Sequence, residues 1–257
     1  MKKDALSWLL FSKYPVIHRG VIRGDCLEHS RSAFQICIEQ GYPMEVDLLM
    51  LGDQEIVVWR DERVSTVNND KCWLSSMSLP EIRTTYRNLD SRLRQMMTLE
   101  EFTSMVDGKV GIIFEIKVPY GESPNTVVDS VLSVLSKYRG DFAIHSSNPY
   151  VIHRIHNLCP DIPIGQISLS FKWIPNVSPE YIRLHREFLF TDIAVPDFLN
   201  YDIRDLAEEN TRKMVIDFCQ EYDIPLLSWT IKNSYDEELA REYCKNYIIE
   251  GAKSYVK

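Results

Sequence analysis

Two carboxylates lie in an apolar segment that has the composition of a buried β-strand. The segment YPMEVDLLML, residues 42–51, places Glu45 and Asp47 two positions apart. Side chains two apart in a strand point to the same side, so these carboxylates share a face, as do Glu115 and Lys117 in the later segment FEIKV. An ionised carboxylate is costly to bury without a partner. We therefore expect positive charge close to these acids.

That positive charge could come from a metal ion or from side chains. Three carboxylates on neighbouring strands would repel one another strongly in a low dielectric. Oxygen ligands select a hard divalent ion such as Mg²⁺ or Ca²⁺ over zinc. Alternatively, Lys117 and Arg19 neutralise the acids in structural ion pairs. Either carboxylate pair alone leaves both interpretations open.

The elements that must position these residues alternate between strands and helices along the whole chain. Eight apolar segments are strand candidates: PVIH near residue 16, MEVDLLM near 46, GIIFEIK near 113, DFAIHS near 143, IPIGQIS near 165, FLFTDIA near 190, IPLLSWTI near 228 and NYIIEG near 249. Amphipathic segments such as EHSRSAFQICIEQG, SPNTVVDSVLSVLSKYRG and EELAREYCKN lie between them. Strands that alternate with helices form parallel sheets, and eight such units favour a (β/α)8 TIM barrel. A doubly wound sheet is the alternative, weakened by the lack of a glycine-rich phosphate loop after the first strand.

The interval between the second and third predicted strands is about twice the usual length of a βα unit. Residues 52–108 must therefore hold an insertion, with a short strand at EIVVW, a turn-rich stretch STVNNDKCW, and helices near SLPEIRTTYR and TLEEFTSMV. The sequence contains no low-complexity tract and no repeat beyond the βα units. We predict one domain over residues 1–257, with the insertion at approximately 52–108.

The composition indicates a globular protein that does not coat nucleic acid. The chain of 257 residues is 45% hydrophobic and 26% charged, with a net charge of −8, whereas nucleic-acid binding needs a basic face. The six cysteines form no C-x-x-C pair and are typical of buried thiols in a reducing compartment. In the start, MKKDALSWLLF, Asp4 breaks the pattern of a signal peptide, and no cleavage site follows, so we expect a barrel-capping helical turn. No apolar run reaches transmembrane length. These features predict a cytoplasmic protein without integral membrane contact, and they leave the oligomeric state open.

An ordered set of short motifs follows the predicted strands. It consists of VIHRG at residues 16–20, then LEHSRSAF, EVD, WRDERVSTVN and FEIK. The set resembles the glycerophosphodiester phosphodiesterase family, whose pattern is His-Arg-Gly, Glu-Asn-Thr or Glu-Asn-Ser, Glu-x-Asp, His-Asp and Glu-x-Lys. The later segments FAIHSSNPYV, PDIPIGQIS, PDFLNYD, LLSWTI and YIIEG also look like that family. The resemblance implies a (β/α)8 barrel with an insertion after the second strand.

The resemblance also implies roles for the matching residues. The implied roles are metal ligands for Glu45, Asp47 and Glu115, substrate binding for Arg19, Lys117 and Trp229, and proton transfer for His18. The implied cofactor is a divalent cation, Mg²⁺ or Ca²⁺. The implied reaction, part of lipid metabolism, is hydrolysis of a small glycerophosphodiester to an alcohol and a phosphomonoester such as glycerol 3-phosphate. The sequence does not identify the alcohol.

The chain departs from the family pattern at Arg60, which stands where the family has its second catalytic histidine. Arginine stays protonated and cannot act as a general base, although it can bind a phosphate oxygen. His29 or His145 could replace the missing histidine, or His18 could act with reduced activity. A third account is a catalytically impaired barrel that binds a phosphorylated ligand or partner. The intact set of three acids favours an active phosphoric diester hydrolase, with His18 and Arg60 as its catalytic residues.

Overall fold

The computed structural model describes residues 5–65, 71–86 and 93–251. Its strands are β1 (Val16–His18), β2 (Met44–Met50), β3 (Ile56–Val58), β4 (Arg63–Ser65), β5 (Lys71–Trp73), β6 (Ile112–Ile116), β7 (Phe142–Ser146), β8 (Ile164–Ser168), β9 (Phe198–Asp202), β10 (Leu226–Ile231) and β11 (Asn246–Ile249). Eight of them, all except β3, β4 and β5, pair in parallel with their neighbours, and β1 pairs with both β2 and β11. This pairing closes the ring. The predicted (β/α)8 TIM barrel is therefore confirmed.

Helices connect the barrel strands. They are α1 (Ser7–Leu10), α2 (Arg31–Gln40), α3 (Leu79–Glu81), α4 (Leu99–Val106), α5 (Pro124–Leu135), α6 (Pro149–Leu158), α7 (Pro179–Arg186), α8 (Ile203–Leu206), α9 (Glu209–Glu221) and α10 (Ser234–Tyr243). Three of them begin with proline, which is preorganised for the first helical position. Within the described ranges, no helix combines the length and the apolar character that crossing a bilayer requires.

The prediction of a strand at FLFTDIA is wrong. Leu189–Asp192 form a 3-10 helix, and the sixth barrel strand is β9, which begins several residues later. Phe188 stacks on Phe218 of α9 with ring centroids 4.1 Å apart, and the buried Phe190 packs edge-on against the same ring. A short apolar run is equally compatible with a buried strand and with a buried helical turn. Here its rings pack on a helix instead of entering the barrel.

The insertion after β2 contains the other three strands. β3 pairs antiparallel with β2 outside the ring, and β4 pairs antiparallel with β5. The predicted strand at EIVVW is β3, and the two predicted helical regions contain α3, which continues as a π-helix over Ile82–Tyr86, and α4. Much of the turn-rich stretch, residues 66–70, lies outside the described residues. The insertion has its own buried apolar cluster, which includes Trp59 and Leu74. That residues 1–257 form a single domain stays a prediction.

Apolar side chains fill one end of the barrel. This cluster consists of Val16, Ile113, Ala143, Phe198, Leu227 and Ile248 from the strands, together with Leu6 and Leu9 from the predicted capping turn. Gly165 is required on β8 because a Cβ there would lie 2.2 Å from the ring of Phe198. Since this end is closed by apolar packing, the polar residues farther along the same strands lie towards the opposite, carboxyl-terminal end.

Candidate active site

The register of neighbouring strands brings the polar residues together. His18 of β1 pairs with Glu45 of β2, Asp47 of β2 pairs with Glu115 of β6, and Glu115 pairs with His145 of β7. His18, Glu115 and His145 lie at or next to the carboxyl ends of their strands, and the register brings Glu45 and Asp47 of the longer β2 level with them. This is the end of a TIM barrel where active sites form.

Asp47 contacts the basic side chains of the site. Its Oδ2 lies 2.9 Å from Nε of Arg19, its Oδ1 lies 3.0 Å from Nζ of Lys117, and Nε2 of His29 lies 3.2 Å from Oδ2. Burial alone would raise the pKa of Asp47, but Lys117, His29 and Arg19 together hold it well below its ordinary value. The ion pairing that the sequence left open as an alternative is therefore present at this carboxylate.

Glu45 has no such partner. In the part of the chain that the structure describes, no lysine or arginine lies within ion-pairing distance of its carboxylate, which is 2% exposed. Its nearest ionisable neighbours are the histidines His18 and His145, whose Nε2 atoms are each 3.8 Å from a Glu45 oxygen. Burial, with the charges of Asp47 and Glu115, raises the pKa of Glu45 well above its ordinary value. This carboxylate therefore lacks a cation.

Glu45, Glu115 and His145 form a group that could hold a metal ion. One ligand atom from each residue lies within 4.8 Å of the other two. Oε2 of Glu45 and Nε2 of His145 are buried and have no hydrogen-bond partner among the residues that the structure describes. Glu115 also contacts Nζ of Lys117, yet burial keeps the pKa of Glu115 above its ordinary value. These residues fit a divalent ion because it would satisfy both the buried acids and the unpartnered nitrogen.

The HRG motif shapes the end of β1. His18 is 16% exposed, and burial, with the charge of Arg19, lowers its pKa to about 3. Nη1 of Arg19 donates to Oε2 of Glu28 over 2.8 Å. The following Gly20 has φ +84°, and a Cβ there would lie only 2.9 Å from the Cβ of Ala33. The glycine lets the chain turn against α2. The neutral His18 and the paired Arg19 then lie at the carboxyl-terminal end of the barrel, which we call its mouth.

Arg60 and Trp229 lie farther from the acids. The Arg60 side chain is 53% exposed, and Nη1 is 3.8 Å from Oδ1 of Asp61. Together with Lys117 these residues line a surface cavity of about 440 Å³, so Arg60 lies at the rim. Trp229 of β10 is partly buried, and its Nε1 donates to the backbone oxygen of Asn200 over 3.2 Å. The proposed roles of these and the other site residues stay predictions.

Asn200 is a site neighbour that sequence reasoning missed. Its side chain is buried on β9, and Nδ2 lies 3.2 Å from Nδ1 of His145. The misplaced sixth strand concealed it. The segment FLNYD contains a pattern that could have identified it. Phe198, Asn200 and Asp202 alternate with the other two residues and share one face, and two of the three are polar, as in a half-polar strand.

The barrel, with acids, histidines and cations gathered at the carboxyl-terminal end of its strands, has the arrangement of a TIM-barrel active site. The model of the glycerophosphoryl diester phosphodiesterase family matches residues 18–250. The chain therefore belongs to that family, as the ordered motifs predicted.

Individual relatives are distant in sequence and similar in structure. YhdW of Bacillus subtilis (strain 168) is 22% identical over 235 residues, which cover 86% of this chain and 86% of YhdW. An Oleispira antarctica phosphodiesterase, solved in complex with the product sn-glycerol-3-phosphate, has a TM-score of 0.70 and 18% identity, covering 96% of this chain and 97% of its own. A glycerophosphodiester phosphodiesterase from Thermotoga maritima has a TM-score of 0.66 and 19% identity, covering 94% and 96%. These two structures show that the fold is shared.

Proposed function

We propose that this protein hydrolyses glycerophosphodiesters with a divalent metal ion bound by Glu45 and Glu115. The observation that carries the proposal is the charge of the mouth. Among the described residues, the carboxylates of Glu45, Asp47 and Glu115 have two lysine or arginine partners, Arg19 and Lys117. Both of these cations contact Asp47, and Lys117 also contacts Glu115. Such a site has a net negative charge and would repel an anionic diester. A bound dication reverses that charge, so a singly charged phosphodiester would neutralise the site.

The metal ion would polarise a phosphoryl oxygen and stabilise the charge that develops on it. Lys117, which is 24% exposed and lines the same cavity as Arg60, is placed to contact the phosphoryl group from the side of the mouth. Arg19 is more deeply buried and orients Asp47. His18 is neutral near pH 7 because its pKa is about 3, so its free ring nitrogen can accept a proton from the attacking hydroxyl.

The predicted ligand set of Glu45, Asp47 and Glu115 stays a prediction. For Asp47 to bind the ion, its oxygens would have to be shared with Arg19 and Lys117, which they already contact. We therefore assign direct ligation to the two glutamates. Asp47 binds Arg19 and shares Lys117 with Glu115, and no described lysine or arginine lies within ion-pairing distance of Glu45.

Arg60 supports a second candidate function. Because a guanidinium does not exchange protons at neutral pH, it cannot replace the proton transfer of a second histidine, which is typically worth about 10² to 10⁴ in rate. An impaired barrel that binds a phosphorylated ligand is the alternative. The product complex of the Oleispira antarctica relative supports glycerol 3-phosphate as the shared part of substrate and product. The cytoplasmic location, the role in lipid metabolism and the absence of a nucleic-acid partner stay predictions.

Turnover of a panel of glycerophosphodiesters tests the proposal. Chelator-treated protein would be assayed for release of glycerol 3-phosphate, before and after addition of Mg²⁺, Ca²⁺ or Mn²⁺. We expect metal-dependent turnover that falls at least 10²-fold in His18→Asn and is unchanged in His153→Asn, a control on the outer helix α6. Full turnover by the chelator-treated protein without added metal would refute the requirement for a metal ion. Binding of glycerol 3-phosphate without turnover of any diester would favour the impaired barrel.

A further inference from the structure

His145 adds a nitrogen atom to the two glutamates of the proposed metal site. Its side chain is 2% exposed, and Nε2 points at the Glu45 carboxylate from 3.8 Å. That distance is too long for a hydrogen bond, and Nε2 has no other partner. Histidine is not part of the motif that identified the acids. We propose that His145 is a direct ligand of the ion, and that Asn200 is the positioning residue that fixes its ring.

The contact between His145 and Asn200 supports this assignment. The Asn200 amide faces Nδ1 of His145 from 3.2 Å, and its Oδ1 has no hydrogen-bond partner. The two ends of an amide have nearly the same shape, so a half-turn about the terminal bond places Oδ1 against Nδ1. In that arrangement Nδ1–H donates to Oδ1. The lone pair of Nε2 then points at the two carboxylates, as a metal-binding imidazole requires.

Asn200 is held in place beside the ring by its strand and by burial. It lies on the central part of β9, its side chain is fully buried, and its backbone oxygen accepts a hydrogen bond from Nε1 of Trp229 over 3.2 Å. Partners that bind the second ring nitrogen of a metal ligand typically change metal affinity by about 10-fold to 100-fold. Trp229, predicted as a substrate-binding residue, also supports the strand that carries Asn200.

A nitrogen ligand changes the class of ion that the site prefers. Two carboxylates and one imidazole favour first-row transition ions such as Mn²⁺, Co²⁺ or Zn²⁺ over Mg²⁺ and Ca²⁺, which prefer oxygen ligands throughout. This inference rests on the proposed function, because it concerns the same ion. The inference replaces the expected Mg²⁺ or Ca²⁺ with a transition-metal ion. We expect the site to bind such an ion at least tenfold more tightly than Mg²⁺ or Ca²⁺.

Electron paramagnetic resonance of the Mn²⁺-loaded protein tests the ligand without an activity assay. We expect a spin-echo modulation from a directly bound imidazole nitrogen, which shifts in frequency when the protein contains ¹⁵N-histidine. The modulation should disappear in His145→Gln, whose amide oxygen can still reach the ion. It should persist in His18→Gln, the matched control, because His18 lies at the same distance from Glu45. Loss in the control and persistence in His145→Gln would overturn the assignment.

Metal titration of Asn200 variants provides a test that does not require His145 to be replaced. Asn200→Leu should weaken Mn²⁺ binding about 10-fold to 100-fold, while Asn200→Asp, which keeps an acceptor for Nδ1–H, should restore it. Equal affinities in Asn200→Leu and wild type would overturn the role of Asn200. Bound Mn²⁺ without nitrogen modulation, in a protein whose turnover needs metal, would refute the inference and leave the proposed function intact. No Mn²⁺ binding at all would refute both.

Discussion

Replacing Glu45 by glutamine removes a buried negative charge that the described lysines and arginines leave without a partner. We expect Glu45→Gln to stabilise the metal-free protein and to abolish metal binding. A buried acidic residue whose loss raises stability is a sign of a site formed for something other than folding. The change is nearly isosteric, so packing contributes little to the difference.

The size of the effect follows from the geometry. Ligand atoms of Glu45 and Glu115 lie within 4.8 Å of each other, and two unit charges at that distance repel by about 3.5 kcal/mol at an effective dielectric of about 20. Glu45 can escape the repulsion by binding a proton, and protonating a carboxyl of ordinary pKa 4.5 at pH 7 costs about 3.4 kcal/mol. Since Lys117 offsets part of the charge of Glu115, we expect Glu45→Gln to raise the free energy of unfolding by about 2 kcal/mol. A gain of that size corresponds to a rise in Tm of about 4 to 8 °C.

The stabilisation expected from Glu45→Gln depends on pH, and the direction of that dependence can be checked. The folded-state pKa of Glu45 is raised above its unfolded value, so the stability of the wild type is greatest below about pH 4.5 on account of this group and is lost as pH rises towards the folded-state pKa. Glu45→Gln should therefore gain most over wild type near neutral pH and almost nothing at pH 4. Urea unfolding of the chelated proteins at several pH values measures this difference.

Asp47→Asn is the matched control, on the same strand and with the same chemical change. Its loss removes the acid that Arg19 and Lys117 share, and leaves Arg19 paired with Glu28 and Lys117 paired with Glu115. Because a buried ion-pair network is broken, we expect a destabilisation of about 3 to 5 kcal/mol. The argument would be refuted if Glu45→Gln destabilised the metal-free protein as Asp47→Asn does. It would also be refuted if both variants bound Mn²⁺ like the wild type.

Three further predictions test other parts of the structure. Arg60→His should raise kcat about 10-fold to 100-fold, because it restores a group that exchanges protons, whereas Arg60→Ala should not; equal kcat in the two variants would contradict this. The pKa values of His18 and His145 are lowered to about 3, so the stability they contribute is complete above pH 6.5 and is lost as pH falls towards 3, by about 1.4 kcal/mol per pH unit for each histidine. Urea unfolding of metal-free Glu45→Gln, which lacks the opposing titration of Glu45, should show this loss between pH 7 and 5, and the double variant Glu45→Gln/His18→Asn should show a smaller one. Gly165→Ala should destabilise by about 1 to 3 kcal/mol because its Cβ would meet the Phe198 ring at 2.2 Å, and Phe198→Leu should recover part of the loss; an unchanged midpoint in Gly165→Ala would show that the barrel end is not tightly packed.

Much of the barrel could be predicted from local patterns in the sequence. Seven of the eight strands lie in the predicted apolar segments, and alternation correctly put Glu45 and Asp47 on one face, because the side chains of a strand alternate with a period of two. The exception is informative. FLFTDIA is more apolar than FLNYD, so a search for hydrophobic runs chose the helical turn over the strand, whose interior face carries Asn200 and Asp202. A strand with two polar residues on its interior face is therefore harder to find by a search for apolar runs.

The different roles of the two acids of β2 could not be predicted, because they depend on neighbours that are distant in the chain. Glu45 and Asp47 are two residues apart, about 6.6 Å along a strand, yet Glu45 faces histidines while Asp47 faces Arg19, Lys117 and His29. The register of β1, β6 and β7 against β2 decides those neighbours. A mouth that binds both a metal ion and an anion needs cations that leave at least one metal ligand unpaired. By attracting both cations, Asp47 keeps Glu45 free for the ion, so the ion pairs and the metal site are parts of one arrangement and not competing explanations of the same acids.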